Sequence, residues 1–298
     1  EGKAFYGSSI ESLMIPSTLT EIDSKWCIET PQLKNISISP ENKLMKLIDN
    51  KFIVSKSDIN NEFYDVLLFV RRDAIYVKIP NYIKRIAPYA FHKCSLIETI
   101  EITDESELNI IEEYSFSYTN IKEIYIPKKV THINQYAFSH CSRLEIINFS
   151  PKSTLKFIGD GAFFQTEIKE LFIPENVEEL ESGWCDSSKL NEVKIHPDNK
   201  RFICIDSFIF DKFEKALIFL KRNYEGDICI PPFIKTIKPF AFESCKMLKN
   251  VLFSNDSQLL KIESNSFVHC GICGISIPSK VVVIGYNAFF QCFNLSEI

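Results

Sequence analysis

Apolar residues recur along the chain with a spacing that is neither helical nor strictly alternating. Within residues 121–163 one period carries them at Ile121, Ile124, Ile126, Val130, Ile133 and Phe138. Alternate residues of Ile124-Tyr125-Ile126 point to one side of a short strand, and Pro127 ends its pairing because proline lacks a backbone donor. Short strands joined by turns around a shared core predict a solenoid of parallel strands.

Each period closes on an aromatic residue, usually in an Ala-Phe pair. Alignment on this residue indicates ten turns, which close on Phe5, Trp26, Phe91, Phe116, Phe138, Phe163, Trp184, Phe242, Phe267 and Phe289. Ordinary turns have 21 to 25 residues, but 65 residues separate Trp26 from Phe91 and 58 separate Trp184 from Phe242. These two turns therefore carry insertions, at approximately 41–74 and 198–226.

The spacing also indicates a duplication. Equivalent closing residues of the two halves are 158 residues apart before the insertions and 151 after them. This spacing predicts a duplicated block, approximately 1–157 and 158–298. Both copies are predicted to belong to one solenoid spanning residues 1–298. The seven missing residues are predicted to lie between about Lys56 and Asp65, since the insertions match at their ends. Each insertion is predicted to be a β-hairpin arm, which either contacts a partner or only covers the solenoid.

The repeat units IPKKVTHINQYAFSHCSRLEII and IPSKVVVIGYNAFFQCFNLSEI resemble the BspA-like class of leucine-rich repeats, known from surface antigens of mucosal protists and bacteria. The resemblance covers nearly the whole chain. It implies a leucine-rich-repeat solenoid, mainly β or α/β. It also implies a protein at the cell surface or secreted that adheres to host or extracellular-matrix proteins. Specificity itself lies in variable exposed positions of such scaffolds.

Composition and charge exclude several partner classes. The 298 residues carry 34 Lys plus Arg against 39 Asp plus Glu, and no basic run interleaves with aromatics, which argues against a nucleic-acid partner. No apolar run approaches the roughly 20 residues of a bilayer span, so no direct membrane insertion by this segment is expected. Because both ends fall inside a repeat, we expect a fragment of a longer protein. The oligomeric state is not predicted.

Seven of the ten cysteines occupy recurring positions, either three residues after the closing Phe or directly after the closing Trp. This predicts packed, reduced thiols rather than disulfides or a zinc site. The lone pair Cys270 and Cys273 lacks a second pair at zinc-finger spacing. Cys229 is the expected exception, because it takes an outward strand position and should react first. Core positions are predicted for Cys27, Cys94, Cys141, Cys185, Cys245, Cys270 and Cys292.

No P-loop, G-x-S-x-G or H-E-x-x-H motif is present, and the five histidines are scattered. We therefore predict no catalytic residues, no metal site and no cofactor.

The outward strand positions hold an apolar row, which predicts a contact surface with Tyr125 and Phe172 as anchors and Glu123 and Glu170 as a polar rim. These side chains could instead pack on one another or on an arm. The candidate binding residues are Tyr76, Glu123, Tyr125, Ile146, Glu170 and Phe172.

Together these features predict a noncatalytic protein-binding module, a cell-surface adhesion protein or antigen by resemblance. Two other interpretations stay open. One is an intracellular, cytoplasmic scaffold, which suits reduced thiols. The other is the targeting domain of a larger enzyme whose catalytic part lies outside this sequence.

Overall fold

The computed structural model describes residues 3–23, 25–184, 186 and 189–297. Within these residues the regular secondary structure consists of β-strands, and no helix is present. The mainly β solenoid is therefore confirmed, and the helical part of an α/β repeat is not found. The described part of the chain accordingly contains no helix long and apolar enough to cross a membrane. The chain divides into two compact units, Glu1–Ile168 with Glu179–Trp184, and Lys169–Glu178 with Cys185–Ile298.

The first unit is a stack of turns, most of which contribute two strands. We call the first of these the face strand, of three or four residues, and the second the back strand, of two. The face strands are β1 (Ser12–Ile15), β2 (Asn35–Ile38), β6 (Tyr76–Lys78), β8 (Thr99–Glu101), β10 (Glu123–Ile126) and β12 (Ile146–Phe149). The back strands are β7 (Arg85–Ile86), β9 (Ile110–Ile111), β11 (His132–Ile133), β13 (Phe157–Ile158) and β15 (Glu179–Leu180).

Face and back strands of this unit pair differently. The face strands pair in parallel only two by two, as β1-β2, β6-β8 and β10-β12, so that β8 and β10 belong to separate sheets. The back strands instead form one continuous sheet in the order β15-β13-β11-β9-β7. The back of the unit is therefore evenly stacked, whereas its face is interrupted between β8 and β10.

The first insertion contains the predicted hairpin and joins the back sheet. Its strands β3 (Met45–Ile48), β4 (Phe52–Ser55) and β5 (Val66–Val70) are antiparallel to one another, and β5 then pairs in parallel with β7. Phe52, Ile53 and Val54 are buried. The loop between β4 and β5 has ten residues, against four at the equivalent place in the second unit. It therefore accounts for six of the missing residues, within the predicted range.

Among the described residues, Val70 and Leu220 close turns without an aromatic side chain. The closing Phe116 donates its backbone N–H to the carbonyl of Ala137 in the next Ala-Phe pair, at 2.8 Å. Val70 donates in the same way to Ala90, and Leu220 to Ala241. The two insertion turns thus close on aliphatic residues, which raises the ten aromatic turns to about twelve.

Stacked aromatic rings run through the core of the first unit. The rings of Phe91 and Phe116 are 4.8 Å apart, those of Phe116 and Phe138 are 5.0 Å apart, and all three side chains are buried. A second row is formed by Tyr89, Tyr114 and Tyr136, two residues before each closing aromatic. These tyrosines have positive φ, because the chain turns sharply at this position.

Gly161 occupies the same position as Tyr136 in the following turn, with φ +57°. A Cβ atom there would lie 2.3 Å from Cε1 of Tyr136. Glycine is therefore required on two grounds: it adopts the left-handed conformation without strain, and it leaves space for the Tyr136 ring.

The second unit repeats this arrangement. Its face strands are β14 (Glu170–Ile173), β16 (Glu192–Ile195), β20 (Gly226–Ile230), β22 (Leu248–Phe253) and β24 (Gly274–Ile275), paired as β14-β16 and β20-β22-β24. Its other sheet has the order β17-β18-β19-β21-β23-β25, with strands β17 (Phe202–Ile205), β18 (Phe208–Asp211), β19 (Ala216–Leu220), β21 (Thr236–Ile237), β23 (Lys261–Ile262) and β25 (Val283–Ile284). The core again contains stacked rings, with Phe242 and Phe267 4.4 Å apart.

A buried asparagine lies at the start of each insertion. Asn42 donates from Nδ2 to the carbonyls of Pro16 and Leu19, and its Oδ1 accepts from the N–H groups of Leu44 and Met45. Asn199 makes the same four bonds in the second unit, to Pro174, Val177, Arg201 and Phe202. Each asparagine satisfies backbone groups where the chain leaves the face strand for the insertion.

Candidate functional site

The predicted surface residues lie on face strands, in the register that the alternation predicts. Tyr76 is opposite Thr99, Glu123 is opposite Ile146, and Tyr125 is opposite Asn148. These residues belong to the first unit. Glu170 and Phe172 are on β14 of the second unit, where they are opposite Glu192 and Lys194.

A cavity of about 570 Å³ lies over β8, β10 and β12 of the first unit, at the interruption between β8 and β10. We call it the face cavity. Three of the six predicted residues line it, namely Glu123, Tyr125 and Ile146. Tyr76 is not among its lining residues. The remaining lining residues are Glu98, Thr99, Ile100, Asn120, Lys122, Ile124, Arg143, Glu145 and Asn148.

Tyr125 forms a fixed wall of the face cavity. Its ring is half-buried, and its hydroxyl donates to Oδ1 of Asp104 at 3.0 Å. The same oxygen accepts the backbone N–H of Lys128. Hydrogen bonds from Ser150 and Tyr125 hold the pKa of Asp104 below its usual value, and burial raises the pKa of Tyr125. Because this hydroxyl is already bonded, Tyr125 offers mainly its ring to a ligand.

Ile146 supplies the exposed apolar contact, with 48% of its surface accessible. Its position on β12 places it beside Glu123 of β10. Ile146 lies diagonally across from Tyr125 in the strand register, and because Ile100 and Ile124 are buried, it is the exposed aliphatic side chain among the described residues that line the cavity.

The charged side chains of the face cavity are uncommitted. Within the described residues, no hydrogen bond or ion pair joins the side chains of Lys122, Arg143, Glu98, Glu123 or Glu145 to another group. All five are exposed. Two cations and three carboxylates are thus available to a partner. Binding them requires no internal ion pair to be broken, so a segment carrying both charges fits this cavity.

Tyr76 takes part in a separate, closed network. Its hydroxyl is 2.5 Å from Oε2 of Glu101, whose Oε1 is 2.5 Å from Nζ of Lys78. The hydrogen bond to the Glu101 carboxylate raises the pKa of Tyr76. The hydrogen bond from Lys78 lowers the pKa of Glu101. The Tyr76 side chain is exposed, but its hydroxyl already has a hydrogen-bond partner.

The predicted residues of the second unit form a smaller surface. Phe172 is 43% exposed, and its ring meets the edge of His196 with centroids 5.9 Å apart. Glu170 forms an ion pair with Lys194 at 2.9 Å, and this hydrogen bond raises the pKa of Lys194. Phe172 keeps a free apolar surface, whereas Glu170 is already neutralised.

Sequence reasoning missed the charged residues that precede the face strands. Strict alternation from Ile124 and Ile147 would place Lys122 and Glu145 on the buried side, yet both are exposed because they lie just before β10 and β12 begin. The signal that could have found them is their charge: a lysine or glutamate is almost never buried unpaired. The alternation rule therefore does not apply at the strand entrance.

The burial of the recurring cysteine position is confirmed for Cys27, Cys94, Cys141, Cys245, Cys270 and Cys292, while Cys185 lies outside the described residues. Burial raises the pKa of Cys27 and Cys141 to about 11. Cys229 is exposed as predicted, and Cys204 and Cys273 are exposed too. Over the described residues, no three His, Cys, Asp or Glu side chains are grouped as a metal site would require.

The fold is similar to that of solved bacterial proteins. The pneumococcal vaccine antigen PcpA is 20% identical, with 85% of this chain and 69% of that chain covered and a TM-score of 0.67. A leucine rich cell surface protein from Faecalibacterium prausnitzii A2-165 is 16% identical, with 85% and 92% covered and a TM-score of 0.52. At these identities the similarity concerns the fold alone. Among curated proteins, no sequence matches this chain.

A family model covers most of the sequence. The BspA type leucine rich repeat region matches in six copies over residues 1–62, 68–191 and 215–298. The segments left out are residues 63–67, within the first insertion, and residues 192–214, which contain β16 and much of the second insertion. The chain therefore belongs to the BspA type leucine rich repeat family.

Proposed function

We propose that the chain is a noncatalytic protein-binding module and that the face cavity is its binding site. The observation that carries this proposal is the combination of five uncommitted charges with the exposed Ile146, at a place where the face sheet is interrupted. Ile146 and the ring of Tyr125 supply apolar contact. Lys122, Arg143 and the glutamates supply charge selection.

The partner we propose is a host or extracellular-matrix protein, bound by a protein at the cell surface or secreted. Support comes from the family and from the two similar structures, one a vaccine antigen and the other a cell surface protein. On the second unit, Phe172 is proposed as a further anchor because its ring is exposed. Truncation of Tyr125 or Phe172 to alanine is expected to cost on the order of 1 to 3 kcal/mol of binding.

The test measures binding of the chain to purified collagen, laminin and fibronectin by surface plasmon resonance. Ile146→Asp and Arg143→Glu should each weaken the interaction found, and Lys152→Glu is the matched control, an exposed charge reversal outside the cavity. Since the altered side chains are exposed, fluorescence of the buried Trp26 should remain native. Unchanged affinity in both cavity variants would place the binding site elsewhere, and no binding to any of the three would reject them as partners.

A further inference from the structure

A second cavity of the first unit, of about 610 Å³, lies along β2. We call it the β2 slot. Residues 36–39 line it consecutively, and β3 contributes Met45, Lys46 and Leu47. Successive side chains of a strand point to opposite faces, so a consecutive run lines a cavity only where the backbone edge itself forms the wall.

The edge of β2 at this slot is open. Among the strands that the structure describes, β2 pairs with β1 alone, in a two-stranded sheet. The N–H groups of Asn35 and Ser39 bond to carbonyls of Glu11 and Ile15, so the alternate residues Ile36 and Ile38 direct their backbone groups away from β1. An unpaired row of donors and acceptors can accept a further strand, and β2 is long enough for about four residues, roughly 13 Å.

The long loop of the first insertion is built over this slot. Asp65 is buried and accepts from the N–H and hydroxyl of Ser57 at 2.9 and 2.8 Å, and from Asn61 at 3.2 Å. Held in this way, the loop places Tyr64 in the lining of the slot. It also exposes Phe63, with 62% of its surface accessible. The second unit has only four residues at this point and no counterpart of Tyr64.

The charge of the slot indicates what it accepts. Of the described residues that line the slot, Lys46 alone is charged, and Nζ of Lys56 lies 5.4 Å from the centroid of the Tyr64 ring. These lining residues include no carboxylate, whereas three carboxylates line the face cavity. An acidic side chain is therefore favoured here, beside apolar groups that contact Leu47 and Tyr64.

We propose that the β2 slot binds an extended segment of a partner protein, apolar with an acidic residue, which adds to β2 as a further strand. This β-strand addition uses backbone hydrogen bonds for affinity and the side chains around the slot for selection. The site exists in the first copy only, because only that copy has the loop that carries Tyr64. It is separate from the face cavity.

The experiment selects binders from a phage-displayed library of random octapeptides against the chain. Enriched peptides should combine alternating β-branched or aromatic residues with Asp or Glu. A synthetic copy of the best peptide should protect amides within residues 35–39 from hydrogen exchange. Its affinity should fall at least tenfold with Lys46→Glu or Tyr64→Ala, and also when alternate peptide amides are N-methylated. Arg143→Glu, in the face cavity, should leave this affinity unchanged.

Each contrary result overturns the inference. If no peptide enriches, or if protection is confined to other strands, the inference is wrong. It is also wrong if the peptide keeps full affinity in both N-methylated forms, one for each set of alternate amides, because one of the two sets must face β2. Native fluorescence of Trp26 in the Lys46 and Tyr64 variants ensures that a loss of binding reflects the slot rather than unfolding. Loss of binding in Arg143→Glu alone would assign the peptide to the face cavity instead.

Discussion

The buried His92 should make the first unit sensitive to acid. Its side chain is only 5% exposed, with Nδ1 2.6 Å from Oγ of Ser117. Nε2 has no hydrogen-bond partner within the described part of the chain and lies 3.7 Å from Oε1 of Glu29. Burial, followed by the nearby Arg72 cation, lowers the pKa of His92 to about 4. The folded protein therefore favours the neutral imidazole.

The sign and size of the effect follow from proton linkage. An unfolded histidine has a pKa of about 6.5, so unfolding takes up a proton below that pH. Above pH 6.5 His92 adds no pH dependence, and stability is lost as the pH falls from about 6.5 towards 4. The folded and unfolded pKa values of His92 differ by about 2.5, which corresponds to a total loss of about 3 kcal/mol in the free energy of unfolding. About 2 kcal/mol of this loss has occurred by pH 5.

Urea unfolding at pH 7 and pH 5 measures this loss. Both tryptophans, Trp26 and Trp184, are buried in the first unit, so their fluorescence reports on that unit. His92→Phe removes the titrating group, and the hydroxyl of Ser117 still donates to the carbonyl of Tyr114. The free energy of unfolding of this variant, relative to wild type, should rise by about 2 kcal/mol between pH 7 and pH 5.

The matched control is His140→Phe. His140 is half-exposed, and burial lowers its pKa as well, but less of its ring is buried than that of His92. The same substitution there should change the pH dependence by a smaller amount. If wild type and His92→Phe lose equal stability between pH 7 and pH 5, the account of the buried neutral histidine is wrong.

Three further predictions concern the scaffold. Asn42→Ala should lower the free energy of unfolding by about 2 to 4 kcal/mol, because four backbone groups lose their partner, and urea unfolding followed by tryptophan fluorescence measures this loss. Asn199→Ala should destabilise the second unit in the same way, and circular dichroism measures that effect. Gly161→Ala should lower the free energy of unfolding by about 1 to 3 kcal/mol, because its Cβ atom would clash with the Tyr136 ring. In the double variant with Tyr136→Ala this clash is removed, so the combined loss should be smaller than the sum of the two single losses. Strictly additive losses would contradict the proposed clash. Among the nine cysteines that the structure describes, only the three exposed ones should react with a chromogenic thiol reagent in the native protein, and the buried ones after denaturation. Prompt labelling of Cys141 would contradict its burial.

Much of the architecture follows from local sequence. Alternation at Ile124-Tyr125-Ile126 determines which side chains enter the core, and a shared period places Glu123 opposite Ile146. These properties are readable because each turn repeats the same short-range requirements. The two aliphatic turns, closing on Val70 and Leu220, escaped the aromatic alignment, since their backbone bonds and not their side chains identify them as turns.

The candidate sites depend on the tertiary structure. The sequence by itself determined the solenoid, the buried cysteine positions and the outward row that includes Ile146, and it predicts a duplicated block. Only the folded chain decided that β8 and β10 do not pair, that Asp65 folds the long loop over β2, and that Arg143 faces a cavity. The physical reason is the distance along the sequence over which each feature is set. Strand alternation is determined by neighbouring residues. A cavity forms where successive turns separate, and this separation depends on hydrogen bonds between residues more than 20 positions apart.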